Sequence, residues 1–133
     1  MRLTTKSEYA LVALIHMARH TPSGYVRIAD ICHAHHISKK YLEQLFSVLR
    51  RMRVVRTRRG AAGGYALAQP PRKISVARVV RMMDGALAPS SSVSKYFFAR
   101  TPLAREKKMM CVLKDIRDYV ARKLEQLTLA DLV

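Results

Sequence analysis

The chain has 133 residues, with 25 lysines and arginines against 9 aspartates and glutamates, a formal charge of +16. That length holds one domain of ordinary size, or a small domain with a packing arm, and not two separate cores. Half of the residues are hydrophobic, which excludes a disordered chain, and so positive a charge suits an anionic polymer or surface, nucleic acid before membrane. Two cysteines, Cys32 and Cys111, make neither a disulfide framework nor a four-ligand metal or cluster site within one chain. The pattern reads as reduced and cytoplasmic. The longest apolar stretch, Tyr9 to Ala18, is broken by His16 and too short to span a bilayer, and no small-residue cleavage site follows it, so it is read as neither membrane nor targeting segment.

Thr5-Lys6-Ser7-Glu8 is a capping-box pattern, in which a threonine hydroxyl and a glutamate each satisfy a free amide at a helix start. Ala10, Leu11, Leu14, Ile15 and Ala18 recur behind it at helical spacing, and Thr21-Pro22-Ser23-Gly24 reads as the turn that ends the helix near His20. A short helix follows from about Arg27, burying Ile28 and Ile31. It leaves through Ala34-His35-His36-Ile37 to Ser38, an N-cap for a third helix that carries Tyr41, Leu42, Leu45, Phe46 and Leu49. Two helices joined by a tight turn, with Ile37 plugging the angle between them, make a helix-turn-helix whose second member is the reader.

Val54-Val55 opens a β-branched strand, Gly60 to Gly64 is a glycine- and alanine-rich turn, and Tyr65-Ala66-Leu67-Ala68 alternates as the returning strand. That hairpin is a wing. Pro70-Pro71 ends it, Ser75 caps a helix from Val76 to Met83, and Gly85 closes that helix. Periodicity then fades through Pro89, Ser90 to Ser92 and Pro102. From Met109 onward Leu113, Ile116, Val120, Leu124 and Leu127 step by 3, 4, 4 and 3, one continuous helical stripe. A long arm needs a surface to pack on; a partner subunit is the economical one, and the helix at Tyr9 to Ala18 is the other. The expected fold class is mainly α with a small β-hairpin wing. A winged helix-turn-helix DNA-binding domain occupies 1–85, a connector 86–108, and a dimerisation helix with a C-terminal tail 109–133.

Within residues 38–60 the basic side chains are Lys39, Lys40, Arg50, Arg51, Arg53, Arg56, Arg58 and Arg59, against Glu43 alone. The charge therefore sits on the reader helix and the wing, the footprint of double-stranded DNA. A helix in the major groove reads bases with its first turns and meets phosphates at its flanks. Ser38, Lys39, Tyr41, Glu43 and Gln44 are the candidates for base edges: Gln44 suits adenine, Glu43 accepts from cytosine, and Lys39 and Lys40 serve either purpose. Arg58 and Arg59, just before the wing turn, suit a narrow minor groove.

The chain resembles the Rrf-two family of bacterial winged-helix regulators, the family of IscR, NsrR and CymR. The resemblance rests on Met1-Arg2-Leu3-Thr4-Thr5-Lys6 with Tyr9-Ala10, on Ile37-Ser38-Lys39-Lys40-Tyr41-Leu42-Glu43-Gln44-Leu45, and on Arg59-Gly60-Ala61-Ala62-Gly63-Gly64-Tyr65. Val79-Val80 to Asp84-Gly85 and the closing Leu127-Thr128-Leu129-Ala130-Asp131-Leu132 complete it. It implies a homodimer whose long C-terminal helices cross, presenting two reader helices to a pseudo-palindromic operator, with Arg2, Ser38, Lys40, Tyr41, Glu43, Gln44 and Arg59 as DNA contacts. Family members commonly carry proline and glycine at the positions of Ala61 and Ala62. An alanine at 62 is strained if that position has positive φ.

Many members of the family hold an iron–sulfur cluster through three cysteines in the loop before the last helix. Here that stretch offers Ser90, Ser91 and Ser92, with Lys107 near the third position and Cys111 a turn later. The usual cluster cysteines are lacking, and no cofactor is expected. In some relatives an acid at the place of Glu8 completes the cluster, but the capping box already accounts for Glu8. Cys32-His33-Ala34-His35-His36 gathers possible metal ligands, yet side chains fanning from a turn do not converge on one ion. Glu8, Cys32, His35 and Cys111 are thus the metal candidates, and the expected reading is that none binds metal.

No nucleophile with a base, paired carboxylates or phosphate loop is present, so the chain is not read as an enzyme. The expected function is a sequence-specific DNA-binding transcription regulator, a homodimeric repressor with a small-molecule effector as a further possible partner. Two readings stand beside it: a metal- or thiol-based redox sensor using Cys32, Cys111 or the histidines, and a non-specific basic nucleic-acid-binding protein.

Overall fold

A computed structural model describes residues 1–21 and 24–133; Pro22 and Ser23, and with them the middle of the expected Thr21–Gly24 turn, lie outside the described residues. In chain order come α1 (Thr5–Arg19), α2 (Ile28–His35), α3 (Lys39–Arg51), β1 (Val55–Arg58), β2 (Gly64–Leu67), α4 (Val76–Asp84) and α5 (Lys107–Gln126). The fold is mainly α with a two-stranded wing, as the periodicity implies. Leu14 and Met17 from α1, Ile31 from α2, and Leu42, Phe46 and Leu49 from α3 meet Val54, Ile74 and Leu129 in one core. Ile37 is buried at the α2–α3 corner. The corner itself turns on His36, whose φ of 54° and ψ of 43° place it in the left-handed region, which histidine tolerates better than most non-glycine residues.

β1 and β2 pair antiparallel, Val55 opposite Leu67 through Arg58 opposite Gly64. Before α2, Val26 joins the hairpin by two amide–carbonyl bonds with Tyr65, each 2.8 Å. A Cβ on Gly64 would stand 2.5 Å from the Val26 carbonyl oxygen, so only glycine permits that approach. The Tyr65 ring stacks on Phe46 with centroids 4.5 Å apart, fixing the wing against the reader helix. The expected strain at Ala62 does not arise. Gly60 carries the positive φ of the turn, and His36 and Arg53 are the non-glycine residues with positive φ among those described.

Two further expectations are corrected. The N-cap of α1 is Thr4, one residue before the anticipated threonine, and no side chain within the helix start supplies the cap; the partner comes instead from α4, as described below. The C-terminal stripe is also divided. Leu113 packs on Ala88 and Val93 of the connector, while Leu124 and Leu127 pack on Val76, Ala77, Val80 and Leu87. Val120 is half-buried and Ile116 exposed. The chain end returns to the core formed by the earlier elements: the Val76 amide donates to the Leu127 carbonyl at 2.8 Å, the Leu129 amide to Ile74 at 3.0 Å, and Leu129 is fully buried. A stripe about 100° wide drifts around a helix of this length, so its C-terminal members face α4 while another face of α5 remains bare.

Candidate nucleic-acid interface

Ser38 sets the start of the reader helix. Its Oγ accepts from the Tyr41 amide at 3.3 Å, satisfying one of the free donors of the first turn. Leu42, Leu45, Phe46 and Leu49 are drawn into the core, which leaves Lys39, Lys40, Glu43 and Gln44 exposed on the opposite face. Tyr41 is half-buried and meets Tyr9 of α1 edge-on, ring centroids 5.6 Å apart. Its ring thus anchors the helix to α1.

Between the reader helix and the wing lies an open groove of about 430 Å³, bordered by Arg27, Lys39, Glu43, Arg50, Arg58 and Arg59. Five cations and one carboxylate around a groove make a strong anion field. Arg58 is partly spent on structure: its Nε and Nη2 donate to the Ala62 carbonyl at 3.1 and 2.5 Å, and its guanidinium lies 4.1 Å from the Tyr25 ring centroid. That clamp holds the wing tip in shape. Arg59 is exposed at the turn. At the base of the wing, Arg78 donates to Gln69 Oε1 at 3.0 Å and to the Met52 carbonyl at 2.9 Å, while Gln69 Nε2 donates to the Arg53 carbonyl at 3.0 Å.

The N-terminal end of α1 adjoins this face. Thr4, Lys6, Tyr41 and Asp84 border one shallow depression. Asp84, the last residue of α4, accepts the Thr4 amide at 2.9 Å, the Thr4 hydroxyl, and the hydroxyl of buried Ser7 at 2.6 Å. Burial alone opposes its ionisation, but the hydrogen bonds from Ser7 and Thr4, with Lys6 nearby, outweigh it and hold the carboxyl below the usual carboxylate range. Arg2 is exposed just ahead of this cap. Sequence reasoning singled out the residues from Ser38 to Gln44 and the arginines of the wing. It counted Arg50 in the basic footprint without naming it a contact, and it missed Arg27 on the groove, Tyr25 beneath Arg58, and the Asp84 and Arg78 anchors, which are set by the folded arrangement.

The metal candidates are dispersed. Glu8 is exposed on α1, Cys32 half-buried on α2, Cys111 exposed on α5, and His35 bonds His16. Among the described residues no three histidines, cysteines, aspartates or glutamates gather where they could hold an ion. Burial pushes the Cys32 thiol up, against the pull of Lys39, which makes it a poor thiolate. No helix among the described residues is long and apolar enough to cross a membrane.

A family model described as "Rrf2: Iron-dependent Transcriptional regulator" matches residues 3–133. The transcriptional regulator IscR of Erwinia tasmaniensis is 36% identical over 134 residues, covering all of this chain and 79% of the relative. A putative HTH-type transcriptional regulator of Neisseria meningitidis is 39% identical over 95 residues, covering 71% of this chain and 64% of the relative. For IscR of Xenorhabdus nematophila, 45% identical over 84 residues, the match covers 63% of this chain and 51% of the relative. The chain thus matches between half and two thirds of the length of the latter two relatives. Among solved structures, CymR of B. subtilis, described as a global cysteine regulator, superposes with a TM-score of 0.81 at 32% identity over 99% of this chain and 95% of that one. IscR of T. potens gives 0.72 at 32% identity over 99% and 85%.

Iron in that family description raises the question of a cluster, which is held chiefly by cysteine thiolates. The connector presents serine hydroxyls instead, Ser90 Oγ and Ser92 Oγ hydrogen-bonded to one another at 2.8 Å. The chain's two cysteines sit on different helices, α2 and α5. The residues present do not fit a cluster in the connector.

Proposed function

The chain belongs to the Rrf2 family of transcriptional regulators, and from that premise we propose that it is a sequence-specific DNA-binding repressor. It acts in the cytoplasm as a homodimer on a pseudo-palindromic duplex and blocks a promoter by occupying it. The relatives named above are transcription regulators, not enzymes. The observation that carries the reading is the bare polar face of α3, capped by Ser38 and flanked by a clamped, arginine-bearing wing. Lys39, Lys40, Glu43 and Gln44 meet base edges; Arg2, Tyr41 and Arg59, joined by Arg27 and Arg50, anchor phosphates; Arg58 shapes the wing.

Dimerisation uses the bare face of α5. Met109, Val112, Ile116 and Tyr119 are exposed there by 44, 50, 44 and 57%, and their 3, 4, 3 spacing is that of a coiled-coil seam. A small-molecule effector has a place between connector and helices, where Arg81, Tyr96, Phe97, Arg117, Arg122 and Glu125 border a cavity of about 400 Å³.

Selection of duplexes from a random library tests the function. A regulator enriches one motif with two related half-sites about one helical turn apart. Enrichment of nothing beyond general affinity for duplex points to the non-specific basic protein instead.

A further inference from the structure

All five histidines of the chain, at 16, 20, 33, 35 and 36, lie on α1 and α2 or at the residue that ends each helix, and three of them meet. His16 Nδ1 lies 3.0 Å from His35 Nε2, so the two rings share a hydrogen bond across the α1–α2 contact. The His20 ring stacks on His16 with centroids 4.5 Å apart, and its Nδ1 lies 2.7 Å from the His16 carbonyl oxygen, to which it donates. His16 and His35 are both half-buried, whereas His20, His33 and His36 are exposed.

The chemistry of that pair depends on proton count. A bond between two ring nitrogens needs one N–H and one lone pair, so it survives with both rings neutral or with one protonated. With two protons both nitrogens are donors, the bond is lost, and two like charges face each other at hydrogen-bond distance. The surroundings oppose charge. From α1, Arg19 and His20 face His16; from α2 come His35 and the carboxylate of Asp30, the one group here that favours a proton. Asp30 is itself shared with Arg27, at 3.2 Å. Burial first, and the neighbouring His20 and His35 next, hold His16 below its ordinary value of 6.5.

We propose that the chain senses acid: the His16–His35 pair is a latch between α1 and the first helix of the helix-turn-helix, closed near neutral pH and opened by double protonation. Opening frees α2, which supports the reader helix through the corner at Ile37, and so lowers affinity for DNA. This last step rests on the function proposed above; the latch itself does not.

The sign follows from the depressed value of His16. The unfolded chain takes up protons as pH falls through 6.5 while the folded chain resists, so stability is complete above that value and declines below it. Asp84 and Asp131, both held below their ordinary value of 3.8, lose their contribution only at lower pH, outside the window in which His16 loses its own.

The test compares the full chain with His16→Gln, His35→Gln and the double variant, since glutamine retains a polar, hydrogen-bonding side chain without titrating. Melting temperature is followed between about pH 7.5 and about pH 5.5, the range in which histidines charge. Wild type is expected to lose about 5 °C, and the double variant less than half as much. Histidine ring signals followed by NMR give the titration directly: His16 titrates below the free-histidine value in wild type and moves part of the way back in His35→Gln, which removes one of the neighbours that oppose its charge. An equal pH-dependent loss in wild type and double variant overturns the latch, as does a wild-type His16 ring that titrates as free histidine. Binding to a duplex selected at neutral pH is measured alongside. If melting and NMR behave as expected while affinity keeps the same pH dependence in all variants, the link to DNA fails and the latch stands.

Discussion

Replacing Asp84 by alanine tests whether one carboxylate fastens the end of α4 to the start of α1. Its oxygens accept the Thr4 amide, the Thr4 hydroxyl and the Ser7 hydroxyl. Alanine removes a helix cap, a loss of about 1 kcal/mol. It also strands the Ser7 hydroxyl, which has no exposed surface, at a cost of about 1–3 kcal/mol. The two losses share one carboxylate and do not add in full, so the expected destabilisation is about 2–3 kcal/mol, a drop in Tm of roughly 6–15 °C for a chain of this size. Urea denaturation near neutral pH reads it. Ser7→Ala placed in the Asp84→Ala background should restore about 1 kcal/mol, because it removes the orphaned hydroxyl. With the folded carboxyl held below 3.8, its contribution is complete above that value and lost as pH falls through the folded one, so wild type and variant converge only in acid. A loss under about 0.5 kcal/mol, or additive effects of the two substitutions, refutes the reasoning.

Arg59→Ala should weaken binding to all duplexes and lower the salt slope by about 1, whereas Glu43→Ala should chiefly relax preference at one base position; equal losses on every sequence from both would erase the division between anchoring and reading. Arg58→Ala should speed amide exchange in residues 59–63 while exchange in α1 and α3 is unchanged, and an unaltered wing would show that the bonds to the Ala62 carbonyl do not hold it. Ile116→Asp places a charge in the apolar face of α5 and should yield monomers in sedimentation, whereas Leu124→Asp, on the packed face, should unfold the chain's C-terminal half; a dimer that survives Ile116→Asp removes α5 from the subunit contact.

Local chemistry made much of this molecule legible. Ser38 and Ser75 each precede a helical pattern, and each accepts the anticipated amide. Ile37 reads as a plug because a lone apolar residue between two amphipathic helices has only their corner to fill. What escaped depends on partners far away in the chain. The amide of Thr4 at the start of α1 is satisfied only because Asp84 lies opposite it, and a capping pattern one residue later looked sufficient. Leu124 and Leu127 carry the same spacing as Ile116, and periodicity cannot say which segment of a stripe meets α4 and which meets solvent. Arg53 adopts a positive φ with no local signal; its amide and that of Val54 donate back to Arg50 and Leu49 as α3 ends. On the proposed DNA face the exposure of Lys39, Lys40, Glu43 and Gln44 follows from helix position alone, whereas the clamp of Arg58 on Tyr25 and Ala62 needed the folded wing.

Base recognition by α3 is the central claim, and competition binding tests it most directly. A duplex selected by the wild-type chain and a scrambled duplex of equal length and composition compete for the protein at physiological salt. The account predicts a preference of at least about a thousandfold for the selected duplex, sharply reduced in the variant that combines Glu43→Ala with Gln44→Ala. Equal affinity for both duplexes in the wild type would contradict it, and would leave a basic protein that binds DNA by charge alone.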